Sequence, residues 1–306
     1  MADRFDVIES GGERGRRRWI GLVVVLALLL VPAVSLLVSR EPERDPEPEA
    51  VLPQPVPEPI RSLRTIDNPP NVLHAQATEK GGDEVIDVVF PHGVRAEVRY
   101  PATLGLAEMG VRPFQGVWVE GHYRQLVAPY SGETGITQGG EPIRNYAPNV
   151  TLWPRPAGSG GYGQVLMFSF GPWRLAMYDR GRGLSFEQRT ALAEGLKGKV
   201  TKDGYLVLSA DGVRLAEPGD TVRGEPVGPQ LWFGDGAGTM VVLAPAPGCK
   251  RTTAIPYVID GRGRPVDSVC RSGVQVTVTG PQAFRDQAIK GIRIAFDEDV
   301  RRAAAG

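Results

Sequence analysis

Residues 19 to 38, WIGLVVVLALLLVPAVSLLV, run for twenty residues without a charged side chain. As an α-helix, which rises ~1.5 Å per residue, the run would reach roughly 30 Å, the depth of a bilayer's hydrocarbon core. A helix satisfies its own backbone groups, so it is the conformation expected in lipid, where Pro32 is tolerated. Trp19 stands at the entry, where an indole suits the interface. Arg4, Arg14, Arg16, Arg17 and Arg18 precede the run, and only Arg40 and Arg44 follow it closely. The positive-inside bias therefore predicts a cytoplasmic tail over 1–18, a transmembrane helix over 19–38 and the rest of the chain outside. A cleaved signal peptide is the rival. Ala33 and Ser35 offer a small-residue cleavage site, but Leu36, Leu37 and Val38 carry the apolar run past it. An uncleaved signal-anchor is the expectation.

The next stretch, REPERDPEPEAVLPQPVPEPI at 40 to 60, has a proline at almost every second or third position. Prolines lacking a backbone N–H favour extended polyproline II, and the glutamates repel one another. Asn68-Pro69-Pro70 and Gly81-Gly82 continue the loose character. Residues 39–82 are thus predicted to be a disordered proline-rich linker, and 83–306 the folded extracytoplasmic domain. If that domain divides in two, the boundary falls near residue 171.

Periodicity within 83–306 points to an α+β fold. It is a mainly antiparallel β ectodomain with two or three short helices. Glu84 to Phe90 and Val94 to Tyr100 flank Pro91-His92-Gly93 as a hairpin, and the second alternates apolar and charged residues. Phe114 to Val119 pairs with Gln125 to Ala128. Val165 to Phe170 is apolar on both faces, as in a central strand. Ser185 and Gln188 form a capping box for a helix with Phe186, Leu192, Ala193 and Leu196 on its apolar side and Gly198 as its stop. Leu231 to Phe233 and Met240 to Leu243 form another pair. Val274, Val276 and Val278 alternate with Gln275 and Thr277, and Pro281 opens a final helix before Ile292, Ile294 and Phe296.

Thirty-five basic residues balance thirty-five acidic ones. With no long basic stretch, nucleic acid is not an expected partner. Arginine far outnumbers lysine, a bias of high-GC bacterial genomes that carries no chemistry. The only cysteines, Cys249 and Cys270, would lie in an oxidising compartment, where they are expected to form a structural disulfide. His74, His92 and His122 show no metal-ligand spacing, so no metal or cofactor is expected. GDGAGT at 234 to 239 and AGSGGYG at 157 to 163 lack the Lys-Ser/Thr of a phosphate loop and read as connections. Trp118, Tyr123, Tyr130 and Trp153, with Tyr146, are the candidate binding aromatics, since loop aromatics can stack on sugars or grip peptides. Glu120, Glu133 and Glu141 lie among them and are the candidate carboxylates for a glycosidase-like pair.

No nucleophile, metal or oxyanion motif assembles, so catalytic residues are not assigned. The expected function is a single-pass, membrane-anchored, non-catalytic binding or assembly module of a bacterial cell envelope. Its partners would be the membrane, through 19–38, and envelope proteins or cell-wall glycan. A wall hydrolase is the alternative. So is a signalling protein, whose eighteen-residue tail would serve as a docking peptide.

Overall fold

The computed structural model describes residues 71–297 apart from 139, 155–161, 181–182, 235–237, 251–252 and 261–262. The chain divides into two units, Met1–Thr65 and Ile66–Gly306, and every described residue belongs to the second. The expected tail, membrane span and residues 39–70 of the linker lie outside the described residues. Among the described residues no helix is long and apolar enough to cross a membrane.

The first described strands are β1 (Ala77–Lys80), β2 (Asp83–Val89) and β3 (Arg95–Pro101). β1 and the residues before it fall in the segment read as linker. Its absence of alternating apolar residues hid it, because all four β1 side chains are exposed and only its backbone pairs with β2. A 3₁₀ turn at Ala102–Leu104 and a single turn α1 (Leu106–Met109) lead to β4 (Val111–Val119) and β5 (His122–Val127). Then come α2 (Thr134–Thr137), β6 (Arg144–Ala147), β7 (Val150–Trp153), β8 (Tyr162–Phe170), β9 (Trp173–Arg180), α3 (Phe186–Gly195), β10 (Leu196–Val200) and β11 (Leu206–Ala210). Short β12 (Arg214–Leu215), β13 (Thr221–Val222) and β14 (Glu225–Pro226) precede β15 (Gln230–Phe233) and β16 (Met240–Pro245). The chain closes with α4 (Tyr257–Asp260), β17 (Val266–Arg271), β18 (Val274–Thr279), α5 (Gln282–Gly291) and β19 (Arg293–Phe296). The architecture is mostly antiparallel β with few helices, and of those described only α3 and α5 exceed one turn.

One large sheet runs β17-β18-β16-β15-β4-β5-β9-β8-β7-β6, with β12 added to β4. A four-stranded sheet, β1-β2-β3-β19, packs beside it, and β10 pairs with β11 separately. The expected β18–α5–β19 unit exists, but β19 leaves the large sheet and pairs with β3. Apolar residues on one face of β15, β16 and β18 meet the four-stranded sheet around Phe90, Tyr100 and Phe233. A second core joins β4, β5 and β7 to β9 with α3, β10 and β11 around Phe168, Leu175 and Leu192. β8 is central, as its doubly apolar sequence requires: Leu166, Phe168 and Phe170 face this core, while Val165 and Met167 join Ile136 and Trp153 on the other side. Residue 171 sits in the β8–β9 hairpin turn, where Phe170 pairs with Trp173, so the strands on either side share one sheet.

The two halves of the large sheet meet narrowly, through one registered pair, Val127 with Ala176. Asn71 reinforces this junction. Its Nδ2 donates to the Pro129 carbonyl at 3.0 Å and the Arg174 carbonyl at 2.7 Å, and its Oδ1 accepts from the Arg174 N–H at 3.0 Å. Buried polar groups need such partners.

Three local expectations change. Phe186 is 51 % exposed, not on the buried side of its helix. The helix ends at Gly195, before Gly198, and passes directly into β10. Gly198 lies in that strand because the Phe170 ring packs against it: a Cβ there would stand 2.4 Å from Phe170 Cγ. Gln275 and Thr277, the polar positions of an alternating strand, are both buried, since residues 253–259 cover that face and Gln275 Nε2 donates to the Thr253 and Ala254 carbonyls. Cys249 and Cys270 are disulfide-bonded, with Cα atoms 6.0 Å apart. The bridge fastens the turn that follows β16 to β17.

Candidate binding cleft

β4 and β5 are joined by Glu120-Gly121, whose φ angles of 48° and 77° are both left-handed. This is the two-residue turn that matches strand twist, with glycine at the second position at no steric cost. A non-glycine at the first position is less usual. The turn projects Glu120 toward the start of α3. Ser185 caps that helix: its hydroxyl accepts from the Gln188 N–H at 3.2 Å, and the Gln188 Oε1 accepts from the Ser185 N–H at 2.9 Å. The same Gln188 donates its Nε2 to Glu120 Oε2 at 2.6 Å. One glutamine thus locks the helix start and the hairpin tip together.

β12 lies against the other side of β4, pairing Arg214 with Trp118. The Arg214 guanidinium sits 5.0 Å from the Trp118 ring centroid. Its Nη1 donates to Asp220 Oδ2 at 2.7 Å, an oxygen that also receives the Glu217 N–H at 3.1 Å and the Trp118 indole N–H at 3.4 Å. Burial pushes the Asp220 carboxyl up, but Arg214 and these N–H donors outweigh it and hold the group below its usual range. Between the hairpin tip, α3 and β12 opens a cleft of about 510 Å³ whose lining includes Trp118, Glu120, Glu187, Gln188, Val213 and Arg214. Glu187, fully exposed, accepts from the Ser185 hydroxyl at 2.9 Å. Its own backbone N–H and that hydroxyl lower its carboxyl below the ordinary value. The helix N-terminus works in the same direction.

Of the sequence candidates, the fold brings Trp118 and Glu120 into this cleft and places Tyr123 beside it, its ring 5.6 Å from that of Trp118. The other three aromatics lie elsewhere. Tyr130 is exposed near Arg112, whose guanidinium is 5.8 Å from its ring. Trp153 is buried against Ile136 and Met167 with its indole donating to Thr151 Oγ1 at 2.7 Å, so it covers core. Tyr146 packs 5.6 Å from Phe186. Glu133 pairs with Arg174 at 3.1 Å, and Glu141 is exposed; neither lines the cleft. Glu187, Arg214 and Asp220 escaped the sequence analysis. Ser185 and Gln188 were visible there as a capping box, which marks the helix start but not what it faces.

His74 lies 3.4 Å from the Ala107 carbonyl, His92 is partly buried in its turn and His122 is exposed at the start of β5. Among the described residues no group of three or more His, Cys, Asp or Glu side chains is placed to hold a metal ion. Parts of both glycine-rich connections, 157–161 and 235–237, lie outside the described residues. The chain matches no protein-family model, no curated protein and no solved structure.

Proposed function

We propose that the chain is a single-pass, membrane-anchored protein of a bacterial cell envelope, with its folded domain outside, and that this domain binds an envelope component through the Trp118 cleft without chemically changing it. The carrying observation is how the cleft is built. Three separate segments converge on it, and their polar side chains fasten to one another: Glu120 to Gln188, and Arg214 with Trp118 to Asp220. Such mutual fixing pre-organises a surface, which cuts the entropy lost on binding. Retention of the protein on purified wall material or on isolated envelope, with the mass of the retained component unchanged, supports the reading. Trp118→Ala should abolish that retention, while exposed Tyr130→Ala should leave it unchanged. Equal retention of both variants refutes the assignment to this cleft.

The hydrolase reading keeps one specific observation in its favour. Glu120 and Glu187 line the same cleft beside a tryptophan, and a pair of carboxyls is all that most glycosidases require. Release of soluble sugar or peptide fragments, lost in Glu120→Gln or Glu187→Gln, would replace the binding reading with this one. Reporter fusions at Gly306 test the topology, and a cytoplasmic C-terminus would overturn it.

A further inference from the structure

The two faces of β15, β16 and β18 are covered by different means. One is buried by the four-stranded sheet within the first core. The other carries Trp232, Met240, Val242 and Ala244, with Phe114 of β4 stacked on Trp232 at 4.8 Å between ring centroids. Residues 253–259 form a strap over it, and Ile255, Val258 and the fully buried Ile259 are its apolar contacts. This cluster is small and separate from the two main cores. Beside it the strap covers polar side chains. Thr277 is 0 % exposed, and Gln275 is 1 % exposed. Gln275 Nε2 donates to the Thr253 and Ala254 carbonyls at 3.3 and 3.2 Å, at the long end of the normal range. Its Oε1 has no hydrogen-bond partner among the described residues. A buried acceptor without a donor costs free energy, which solvent restores when the strap lifts. The strap therefore closes over a surface that is only partly apolar and holds it by few polar contacts.

The leading end of the strap is fixed by the disulfide. Cys249 stands in a turn closed by its N–H on the Ala246 carbonyl at 2.9 Å. Lys250 and Thr253 join that turn to the strap: the Lys250 N–H donates to Thr253 Oγ1 and the Thr253 N–H to the Lys250 carbonyl, both at 2.9 Å. Cys270 lies on β17, the edge strand of the large sheet. Both cysteines are partly exposed, so an external thiol has access to the bond. From these observations we propose that Cys249–Cys270 is a redox-released clasp: its reduction by a dithiol frees the strap and uncovers the Phe114–Trp232 stack, while the two main cores stay folded. One thiolate of the dithiol attacks a sulfur of the bond, and the other cysteine leaves as a thiolate and takes up a proton. The second thiol of the reductant then resolves the mixed disulfide. In sum two electrons and two protons pass to Cys249 and Cys270, and the dithiol becomes a disulfide. The device shares no residue with the Trp118 cleft.

The test treats the full-length chain in detergent micelles with dithiothreitol and no denaturant, blocks the thiols with iodoacetamide and counts them by mass. Hydrogen exchange and digestion by a broad-specificity protease then read the strap. Both cysteines should be blocked. Amides of 253–259 should exchange about tenfold or more faster than in the oxidised chain, with new cleavage within the strap. Peptides from β8, β9 and β16 should keep their protection, and a cooperative melting transition should remain. The Cys249→Ser/Cys270→Ser double variant should show the fast exchange without reductant, and dithiothreitol should add nothing to it. A bond that resists dithiothreitol until denaturant is added overturns the proposal, as does unchanged exchange of the strap after reduction or in the double variant. If β8 and β9 lose protection together with the strap, or the double variant fails to fold, the bond supports the whole domain and the proposal fails.

Discussion

Replacing Asn71 by alanine should destabilise the folded unit far more than its position at the edge of a proline-rich stretch suggests. The side chain is 4 % exposed and makes three hydrogen bonds to backbone groups of residues 129 and 174. Truncation leaves one N–H without its partner and removes a donor from each of two carbonyls. At about 1 kcal/mol net for each bond, and more where a buried group is left unpaired, the loss comes to about 2–4 kcal/mol. For a domain of roughly this size that is a fall in melting temperature of about 5–15 °C, at 2–4 °C per kcal/mol. Asn71→Asp should be no better, because it sets an oxygen against the two carbonyls that the amide nitrogen now serves. The assay is urea denaturation of a fragment beginning at Ile66, with the slope checked for constancy so that the midpoint reports stability. A second fragment beginning at Asp83 removes Asn71, the Leu73–Val111 bridge and β1 together, and should be less stable than Asn71→Ala. A loss below about 1 kcal/mol in Asn71→Ala, or equal stability of the two fragments, would refute the claim that residues 71–82 belong to the fold.

Gly198→Ala should cost about 1–3 kcal/mol by driving a methyl into the Phe170 ring, and Phe170→Leu in the same chain should restore part of it; chemical denaturation reads both. Asp179 and Arg189 form a pair at 2.7 Å whose side chains are 6 % and 13 % exposed. Asp179→Ala should therefore lose about 3 kcal/mol, most of it recovered when Arg189→Met removes the stranded charge. Cys270→Ser should lower stability by about 3 kcal/mol on loop-closure grounds without altering what the cleft binds, as judged by thermal melting and retention assays. Burial holds the His92 imidazole below its ordinary value of 6.5, and its Nδ1 has no hydrogen-bond partner among the described residues. Above that pH the ring is neutral in both folded and unfolded chains and contributes no pH dependence. As pH falls below it the unfolded chain takes up the proton first, so stability should decline, and His92→Gln should flatten that part of the profile.

Sequence periodicity was enough for elements whose burial is one-sided or total within the strand itself. The β2–β3 hairpin, central β8, the Ser185 cap and the Pro281 start all follow from local rules: side chains alternate along a strand, a hydroxyl satisfies the first helical N–H groups, and proline has none to satisfy. The cysteine pairing followed from there being two cysteines and from the compartment expected for them. Long-range pairing carries no such local mark. β1 is held by backbone bonds without an apolar face, so nothing in its composition distinguishes it from linker. Gly198 reads as a helix stop by propensity, yet it serves a ring that arrives from residue 170. The aromatics were candidates because of their chemistry, but whether an indole covers core, as Trp153 does, or borders a cleft, as Trp118 does, depends on which strand stacks against it. The cleft itself exists only because a hairpin tip at 120, a helix start at 187 and a two-residue strand at 214 meet. Propensity acts over a few residues and fixes where each piece begins. Their encounter is set by which apolar faces bury together across the whole chain, and that is a property of the packed fold.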